Sequence, residues 1–328
     1  MTHHFTKSGI VAVCFVVSLG WSWAAGTEGT WSEAAPMSAP RSELQAITAG
    51  GKIYVIGGNV VGVRNGEPAT LPTTGISQLY DPAENSWQEL PSVPFGATHN
   101  GIAELDGKIY IAGGFAARGH AEATDRFFVY DPATAKWQEL PRLPSPRGAP
   151  AMIALDGKIH LIGGRNGPAA MPDHEVYDPA TRKWSSLARL PIARDHVGIA
   201  GVNGKIHVYG GRLTDDTSNT GLHDVYDPAT DSWTSAAPMP VPVSSGTFAQ
   251  YRGLLIYLGG ECKAGQHTFD EVQAYDPKTD RWRLLSPIPV ERHANAAAVA
   301  GDRLFMFGGA TGCGANGIVA DNLVFTLP

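Results

Sequence analysis

Short apolar runs that end in paired glycines recur six times along the chain. The runs read KIYVIGG, KIYIAGG, KIHLIGG, KIHVYGG, LLIYLGG and RLFMFGG, and their glycine pairs begin at positions 57, 113, 163, 210, 259 and 308. Apolar runs of this length, rich in β-branched and aromatic residues and bounded by glycine, are typical of buried strands. Their regular spacing indicates a repeat architecture in which each repeat is one structural unit.

Each repeat carries the signals of four strands. Before the glycine pair, Asp106-Gly107 and its counterparts mark a hairpin between two apolar segments. After the pair, a tyrosine precedes a tryptophan by seven residues in five repeats, at Tyr80 and Trp87, Tyr130 and Trp137, Tyr177 and Trp184, Tyr226 and Trp233, and Tyr275 and Trp282. One four-stranded sheet cannot bury both of its faces, whereas six sheets arranged radially can.

The two ends of the chain complement each other. The sixth repeat stops at Asp321-Asn322-Leu323-Val324-Phe325, before any tryptophan, and the missing strand stands at the other end as Thr30-Trp31-Ser32-Glu33. The order of Gly-Gly, Tyr and Trp resembles the Kelch repeat, and the family fold is a β-propeller. We therefore expect an all-β, six-bladed β-propeller of Kelch repeats whose last blade is closed by the N-terminal strand. Kelch propellers include enzymes, adaptors and structural proteins, so the resemblance leaves the function open.

The first residues differ from the repeats. Lys7 precedes the apolar run Ile10 to Leu19, and small residues follow at Ala24 and Ala25. This pattern predicts a signal peptide over residues 1–24, which leaves a propeller over 25–328 with no membrane span in the mature chain. The run has about half of the ~20 apolar residues that a spanning helix needs. We expect a periplasmic or secreted protein that is a monomer.

Composition narrows the possible partners. Charged residues make up 17% of the chain, the net charge is −6, and glycines number 39. Nucleic acids call for a concentrated basic surface, which an acidic chain of this kind lacks, so no nucleic-acid partner is expected. The sequence shows no nucleophile triad, phosphate loop or zinc motif. We expect no cofactor and no metal.

Arginine recurs at equivalent positions, sixteen residues before the glycine pair. In Kelch propellers the loop at this point opens onto one mouth of the central channel, so the resemblance implies that four arginines converge there. The expected ligand-binding residues are Arg41, Arg147, Arg194, His196, Arg212, Glu261, Arg292 and His293. The expected ligand is an anionic small molecule, a glycan or an acidic protein segment. Alternatively, each arginine pairs with a loop carbonyl or a local acid, as Arg194 does if it meets Asp195.

One loop suggests a second function. Residues Gly260 to Thr268 resemble the corresponding loop of the periplasmic N-acetylneuraminate epimerases, six-bladed Kelch enzymes that accelerate sialic acid mutarotation. That resemblance implies Glu261 as a general base, with His267 standing where the family has an arginine. The alternative function is therefore a mutarotase or epimerase that acts on an acidic sugar, with Glu261 and His267 as candidate catalytic residues.

Two pairs of residues are expected to have structural roles or to allow one. Cys262 and Cys313 follow successive glycine pairs, which places them on neighbouring loops, and they are either a disulfide or two free thiols. His160 and His207 occupy positions where sister repeats have Tyr54, Tyr110 and Phe305, so we expect them to be packing residues.

Overall fold

The part of the chain that the structure describes folds into a ring of six antiparallel sheets, five with four strands and one with a fifth strand added to the same four. A computed structural model describes residues 26–64, 67–71, 75–96, 98–117, 120–214, 218–262, 267–314 and 316–328. The predicted signal peptide, residues 1–24, lies outside this described part and stays a prediction. The described residues contain strands and no α-helix, and none of them form a helix long and apolar enough to cross a membrane.

Each blade is named by its order along the chain. Blade 1 contains β2 (Arg41–Ala49), β3 (Lys52–Arg64), β5 (Ser77–Asp81) and β6 (Ser86–Leu90), with β4 (Glu67–Leu71) paired to β3. Blade 2 contains β7 (Gly101–Leu105), β8 (Lys108–Ala112), β9 (Phe127–Asp131) and β10 (Lys136–Glu139). Blade 3 contains β11 (Ala151–Leu155), β12 (Lys158–Ile162), β15 (His174–Asp178) and β16 (Lys183–Ser186), with the short pair β13 (Arg165–Asn166) and β14 (Ala169–Ala170) in its loop.

The second half of the ring repeats this arrangement. Blade 4 contains β17 (Gly198–Val202), β18 (Lys205–Tyr209), β19 (His223–Asp227) and β20 (Ser232–Ser235). Blade 5 contains β21 (Thr247–Tyr251), β22 (Leu254–Gly260), β23 (Phe269–Asp276) and β24 (Arg281–Leu285). Blade 6 contains β25 (Ala296–Ala300), β26 (Arg303–Phe307), β29 (Asn322–Thr326) and β1 (Thr30–Ala34), with β27 (Ala310–Gly312) and β28 (Asn316–Ile318) in its loop.

The N-terminal strand completes the last blade, as the sequence predicts. β1 pairs antiparallel with β29, with Trp31 opposite Phe325, in the register that Trp87 and Tyr80 have in blade 1. The first strand of every blade lies against the first strands of both neighbouring blades, including β2 of blade 1 against β25 of blade 6. The six first strands therefore enclose a central channel, and the ring has no open junction.

The hydrophobic core is divided among the six junctions between blades, with one buried cluster at each. The tryptophan of each fourth strand donates its indole N–H to a backbone carbonyl of the preceding blade. Trp87 bonds to the carbonyl of Ala35 at 2.8 Å, and Trp31 bonds to that of Ser286 at 3.3 Å. Because Trp31 makes the same contact as its five sisters, it is the sixth member of the repeat in structure as well as in sequence.

Candidate functional site

One end of the channel is bounded by six equivalent residues, which we call the channel ring. Each lies fourteen residues before a glycine pair, within β2 in blade 1 and just ahead of the first strand in the other blades, and each has a left-handed backbone with φ between 51° and 56°. The members are Glu43, His99, Ala149, His196, Ser245 and Ala294. A residue other than glycine in this conformation costs of order 1–3 kcal/mol, and such residues concentrate at functional sites.

Backbone hydrogen bonds link the channel ring from blade to blade. Glu43 donates its N–H to the carbonyl of Ala294 at 2.7 Å, which joins the last blade to the first. Ala149 donates to His99 at 2.9 Å, and Ala294 donates to Ser245 at 2.7 Å. These bonds fix the ring backbone and direct its side chains toward the channel axis.

The channel ring forms one end of a cavity of about 380 Å³ that runs between the six first strands. Apolar side chains such as Ala46, Ile102 and Ala200 line its walls. Its ring end is polar, with Glu43, His99, His196, Ser245 and Asn295 lining it. A small-molecule site commonly has this composition, in which a few placed polar groups stand at the end of an apolar cavity.

Several buried polar atoms at or near this end have no hydrogen-bond partner within the described chain. They are the hydroxyl of Ser245, both amide atoms of Asn295 and Nδ1 of the nearby His293. All three side chains are buried. A buried polar group that lacks a partner costs about 1–3 kcal/mol, which a ligand that bonds to it can recover.

A charged network lies directly behind the channel ring. The Arg212 guanidinium donates from Nε to Asp195 at 3.0 Å and from Nη1 to Glu261 at 3.5 Å. Asp195 also contacts Nδ1 of His196 and lies 3.4 Å from Nε of Arg165. Arg212 is therefore held by carboxylates, although it stands at the position from which the sequence predicts a ligand-binding arginine.

Three histidines meet at this end of the channel. His120 comes from the loop between β8 and β9 and packs edge-on against His99 and His196, with ring centroids 5.0 Å and 5.3 Å away. Burial lowers the pKa of the His120 imidazole to about 3. Burial, and then the charge of Arg212, lower the pKa of His196 well below its usual range. Both imidazoles are therefore neutral at neutral pH.

Glu261 lies between blades 5 and 6. Its carboxylate accepts the N–H of Gly314 at 3.1 Å and lies 3.8 Å from Nδ1 of His293. Next to it, Cys262 and Cys313 form a disulfide with their Cα atoms 5.5 Å apart. Of the two arrangements that the sequence left open, a disulfide or two free thiols, the structure has the disulfide. The disulfide joins the loop that carries Glu261 to the loop that carries Gly314.

His267 has a different environment from Glu261. Its side chain is 69% exposed and contacts Glu291 at 3.1 Å, whereas that of Glu261 is 8% exposed. The expected pairing of Glu261 with His267 is thus not the one in the structure, where His293 is the histidine beside Glu261. The sequence gives no direct sign of this exchange, because His293 and Glu261 come from different blades.

The four repeat arginines, which the sequence predicts at the channel mouth, are instead buried inside the blades. Their side chains are at most 1% exposed, and none of them lines the channel cavity. Each donates to the carbonyl of the first residue of the Gly-Gly pair in its own blade, at 3.1–3.3 Å: Arg41 to Gly57, Arg147 to Gly163, Arg194 to Gly210 and Arg292 to Gly308. This is the alternative arrangement, in which each arginine pairs with a loop carbonyl.

Each of these arginines also has a side-chain acceptor in its own blade. The acceptors are Gln78 for Arg41, Glu175 for Arg147, Asp224 for Arg194 and Asp321 for Arg292, at 2.5–3.1 Å. Arg194 therefore pairs with Asp224 and not with Asp195. Because their donors are directed into the blades, we leave these four arginines out of the site proposed below.

His160 and His207 are buried, as the sequence predicts for packing residues. His160 Nδ1 lies 2.9 Å from Nε2 of His174, and His207 Nδ1 lies 2.9 Å from Nε2 of His223. In each pair the second histidine donates its own Nδ1–H to a backbone carbonyl, so its Nε2 accepts from the first.

Comparison with known proteins agrees with this architecture. Sequence profiles of the Kelch motif match residues 97–144, 146–191 and 193–240, which are the repeats of blades 2, 3 and 4. The chain is a Kelch-repeat propeller. It is 38% identical over 90 residues to Kelch-like protein terF of Aspergillus terreus and 35% identical over 91 residues to Kelch-like protein 15 of Danio rerio. These alignments cover 27% of this propeller and only 19% and 15% of the two relatives.

A solved structure extends the likeness to nearly the whole chain. The structure of YjhT superposes with a TM-score of 0.73 over 90% of this propeller and 97% of that chain, at 16% sequence identity. At this identity the similarity establishes the fold alone.

Proposed function

We propose that this Kelch propeller is a binding module that holds a small, hydroxyl-rich ligand of the glycan class at the ring end of its channel. The observation that carries the proposal is the set of buried polar atoms without a protein partner, Ser245 Oγ and the Asn295 amide, at the end of the cavity. Hydroxyl groups both donate and accept hydrogen bonds, so one sugar ring can satisfy an amide and a serine together.

Of the three expected ligand classes, a glycan fits the charges best. The carboxylate of Glu43 lines the cavity, while Arg212 and Arg165 are engaged by Asp195 behind the ring. Burial on its own raises the pKa of Glu43, but the charge and hydrogen bond of His99 lower it well below its usual range, so Glu43 is ionised. A ligand with hydroxyls to donate suits this carboxylate better than an acidic peptide does. We also propose that the protein is exported to the periplasm or secreted, where it would encounter such glycans.

A matched pair of serine variants tests the proposal. Ser245 and Ser42 are both buried with a hydroxyl that lacks a partner, but only Ser245 lines the cavity. A panel of neutral sugars, acidic sugars and short acidic peptides is screened by thermal shift, and any hit is measured by calorimetry. A ligand at 100 times its dissociation constant raises stability by about 2.7 kcal/mol.

The expected result is a sugar that binds the native chain and the Ser42→Ala variant equally and binds Ser245→Ala about 2- to 12-fold more weakly, the loss of one hydrogen bond. Asn295→Leu, which copies Leu44 of blade 1, should weaken binding further. Binding of acidic peptides alone, or of a sugar with equal affinity to all variants, would contradict the proposal.

One observation supports the alternative function of a mutarotase. Glu261 and His293 are buried side by side, 3.8 Å apart, and a carboxylate beside an imidazole can serve as an acid–base pair. If the propeller interconverts sugar anomers, Glu261→Gln should abolish the rate enhancement that NMR measures on an acidic sugar, and His267→Ala should leave it unchanged. No rate enhancement by the native chain would remove this alternative.

A further inference from the structure

The three histidines at the channel ring are arranged like the ligands of a metal ion. One nitrogen from each of His99, His120 and His196 lies within 4.8 Å of the other two. Their rings meet edge-on, with interplanar angles of 69–83° and centroids 5.0–5.3 Å apart. Imidazole nitrogens around a zinc ion at 2.0–2.1 Å stand about 3.4 Å apart in a tetrahedral site, so a shift of at most about 1.4 Å per pair completes the geometry.

Two of these histidines, His99 and His196, use Nδ1 for a protein contact, which leaves Nε2 as the nitrogen available to a metal ion. His196 Nδ1 contacts the Asp195 carboxylate, and His99 Nδ1 contacts the Thr98 hydroxyl at 2.7 Å. Partners of this kind on the far nitrogen orient metal-binding histidines in general. On the near side, Nη2 of Arg212 donates to Nε2 of His120 at 3.2 Å and to Nε2 of His196 at 3.3 Å. Since a guanidinium has no acceptor, both nitrogens present lone pairs to the same position.

A carboxylate stands next to the third histidine. Glu43 Oε2 lies 2.8 Å from Nε2 of His99, and Glu43 lines the same cavity. Three imidazoles and one carboxylate form a ligand set that suits Zn²⁺ and neighbouring divalent transition metals.

We propose that His99, His120 and His196, together with Glu43, bind one divalent transition-metal ion, with zinc as the probe. Entry of the ion requires the Arg212 guanidinium to move away from the two histidines, and because this group is planar and rigid, its bonds to Asp195 and Glu261 must adjust with it. This departs from the sequence-based expectation of no metal, which did not include His120. The proposal does not depend on sugar binding, because metal binding is measured without sugar.

The test is calorimetric titration of the metal-stripped, untagged chain with zinc chloride, paired with the visible spectrum of the Co²⁺ form. We expect one tightly bound ion per chain and the intense absorption of tetrahedral cobalt. His120→Ala should abolish this binding, and Asp195→Asn should weaken it 10- to 100-fold through loss of the outer partner. The control is His267→Ala, which removes an exposed histidine that contacts Glu291 and should change nothing.

The cobalt spectrum of the native chain tests the proposal even if a variant fails to fold. Absence of a one-to-one complex with either metal would overturn it and show that Arg212 keeps cations out. Retention of native zinc affinity by a folded His120→Ala variant would overturn it as well.

Discussion

Replacement of Arg194 tests the structural role of the repeat arginines. Its guanidinium is fully buried and donates to Asp224 at 2.7 Å, to the Gly210 carbonyl at 3.1 Å and to the Val208 carbonyl at 3.1 Å. In Arg194→Ala the carboxylate of Asp224 stays buried without its counter-charge. Loss of one partner of a buried ion pair costs about 3–5 kcal/mol. For a chain of this size, that lowers the melting temperature by roughly 5–8 °C.

Blade 5 supplies a matched control. At the positions of Arg194 and Asp224 it has Val243 and Gln273, and the Gln273 amide bonds to both backbone groups of Val241 at 3.0 Å. The double variant Arg194→Val/Asp224→Gln copies this arrangement and leaves no buried charge unpaired. It should regain most of the stability that Arg194→Ala loses.

The free energy of unfolding of the native chain, Arg194→Ala and the double variant is measured by chemical denaturation, with tryptophan fluorescence as the signal. Ligand or metal titrations on the same samples measure binding. Arg194→Ala should lose about 3–5 kcal/mol of stability and bind as the native chain does, per folded molecule. If Arg194→Ala kept native stability but lost binding, Arg194 would be a ligand-binding residue and not a structural one.

Three further predictions concern ring closure, pH and the disulfide. Trp31→Ala removes a half-buried tryptophan of the closing strand and should cost at most about 3–5 kcal/mol in denaturant titrations, the range for a fully buried tryptophan. Burial lowers the pKa of His160 to about 4 and that of His174 to about 3, from 6.5, so stability should be full above about pH 6.5 and fall as pH drops toward 4. The double change His160→Tyr/His174→Phe, which copies blade 2, should make that pH profile of melting temperatures shallower, while His207 and His223, whose pKa values burial also lowers to about 4, keep part of the slope. An unchanged slope would contradict the assignment. Reduction of the bond between Cys262 and Cys313, 51 residues apart, should lower stability by about 4 kcal/mol in the chain-entropy model, whereas equal melting curves with and without reductant would argue against it.

The sequence predicts the fold well because the repeat signals are local. A glycine pair, followed after a loop by a tyrosine and seven residues later by a tryptophan, specifies one blade, and six copies arranged radially can bury all the sheets. Even the closure by Trp31 follows, because the first strand supplies the one element that the last repeat lacks.

The direction of a side chain is not set by repeat position alone. Arg194 and His196 are two residues apart in one loop, yet Arg194 is directed into the blade and His196 lines the channel. A signal was present: Arg41, Arg147 and Arg194 each have a polar residue two positions before the blade's tyrosine, namely Gln78, Glu175 and Asp224. Blade 2, which has Ala97 at the arginine position, has Phe128 there instead.

His120 could not be found from the repeat pattern. It lies in the loop between β8 and β9 of blade 2, and the equivalent loops of the other blades differ from it in length and sequence, so its contacts with His99 and His196 depend on how this one loop folds. Loops vary in length between blades and carry the residues that distinguish one propeller from another.

Calorimetry of a sugar hit on the native chain, Ser245→Ala and Ser42→Ala decides whether the ligand lies in the channel. Ser42→Ala should keep native affinity and Ser245→Ala should lose about 2- to 12-fold, since of these two serines only Ser245 lines the cavity. Equal affinities in all three chains would place the ligand outside the channel and rule out a site at the channel ring.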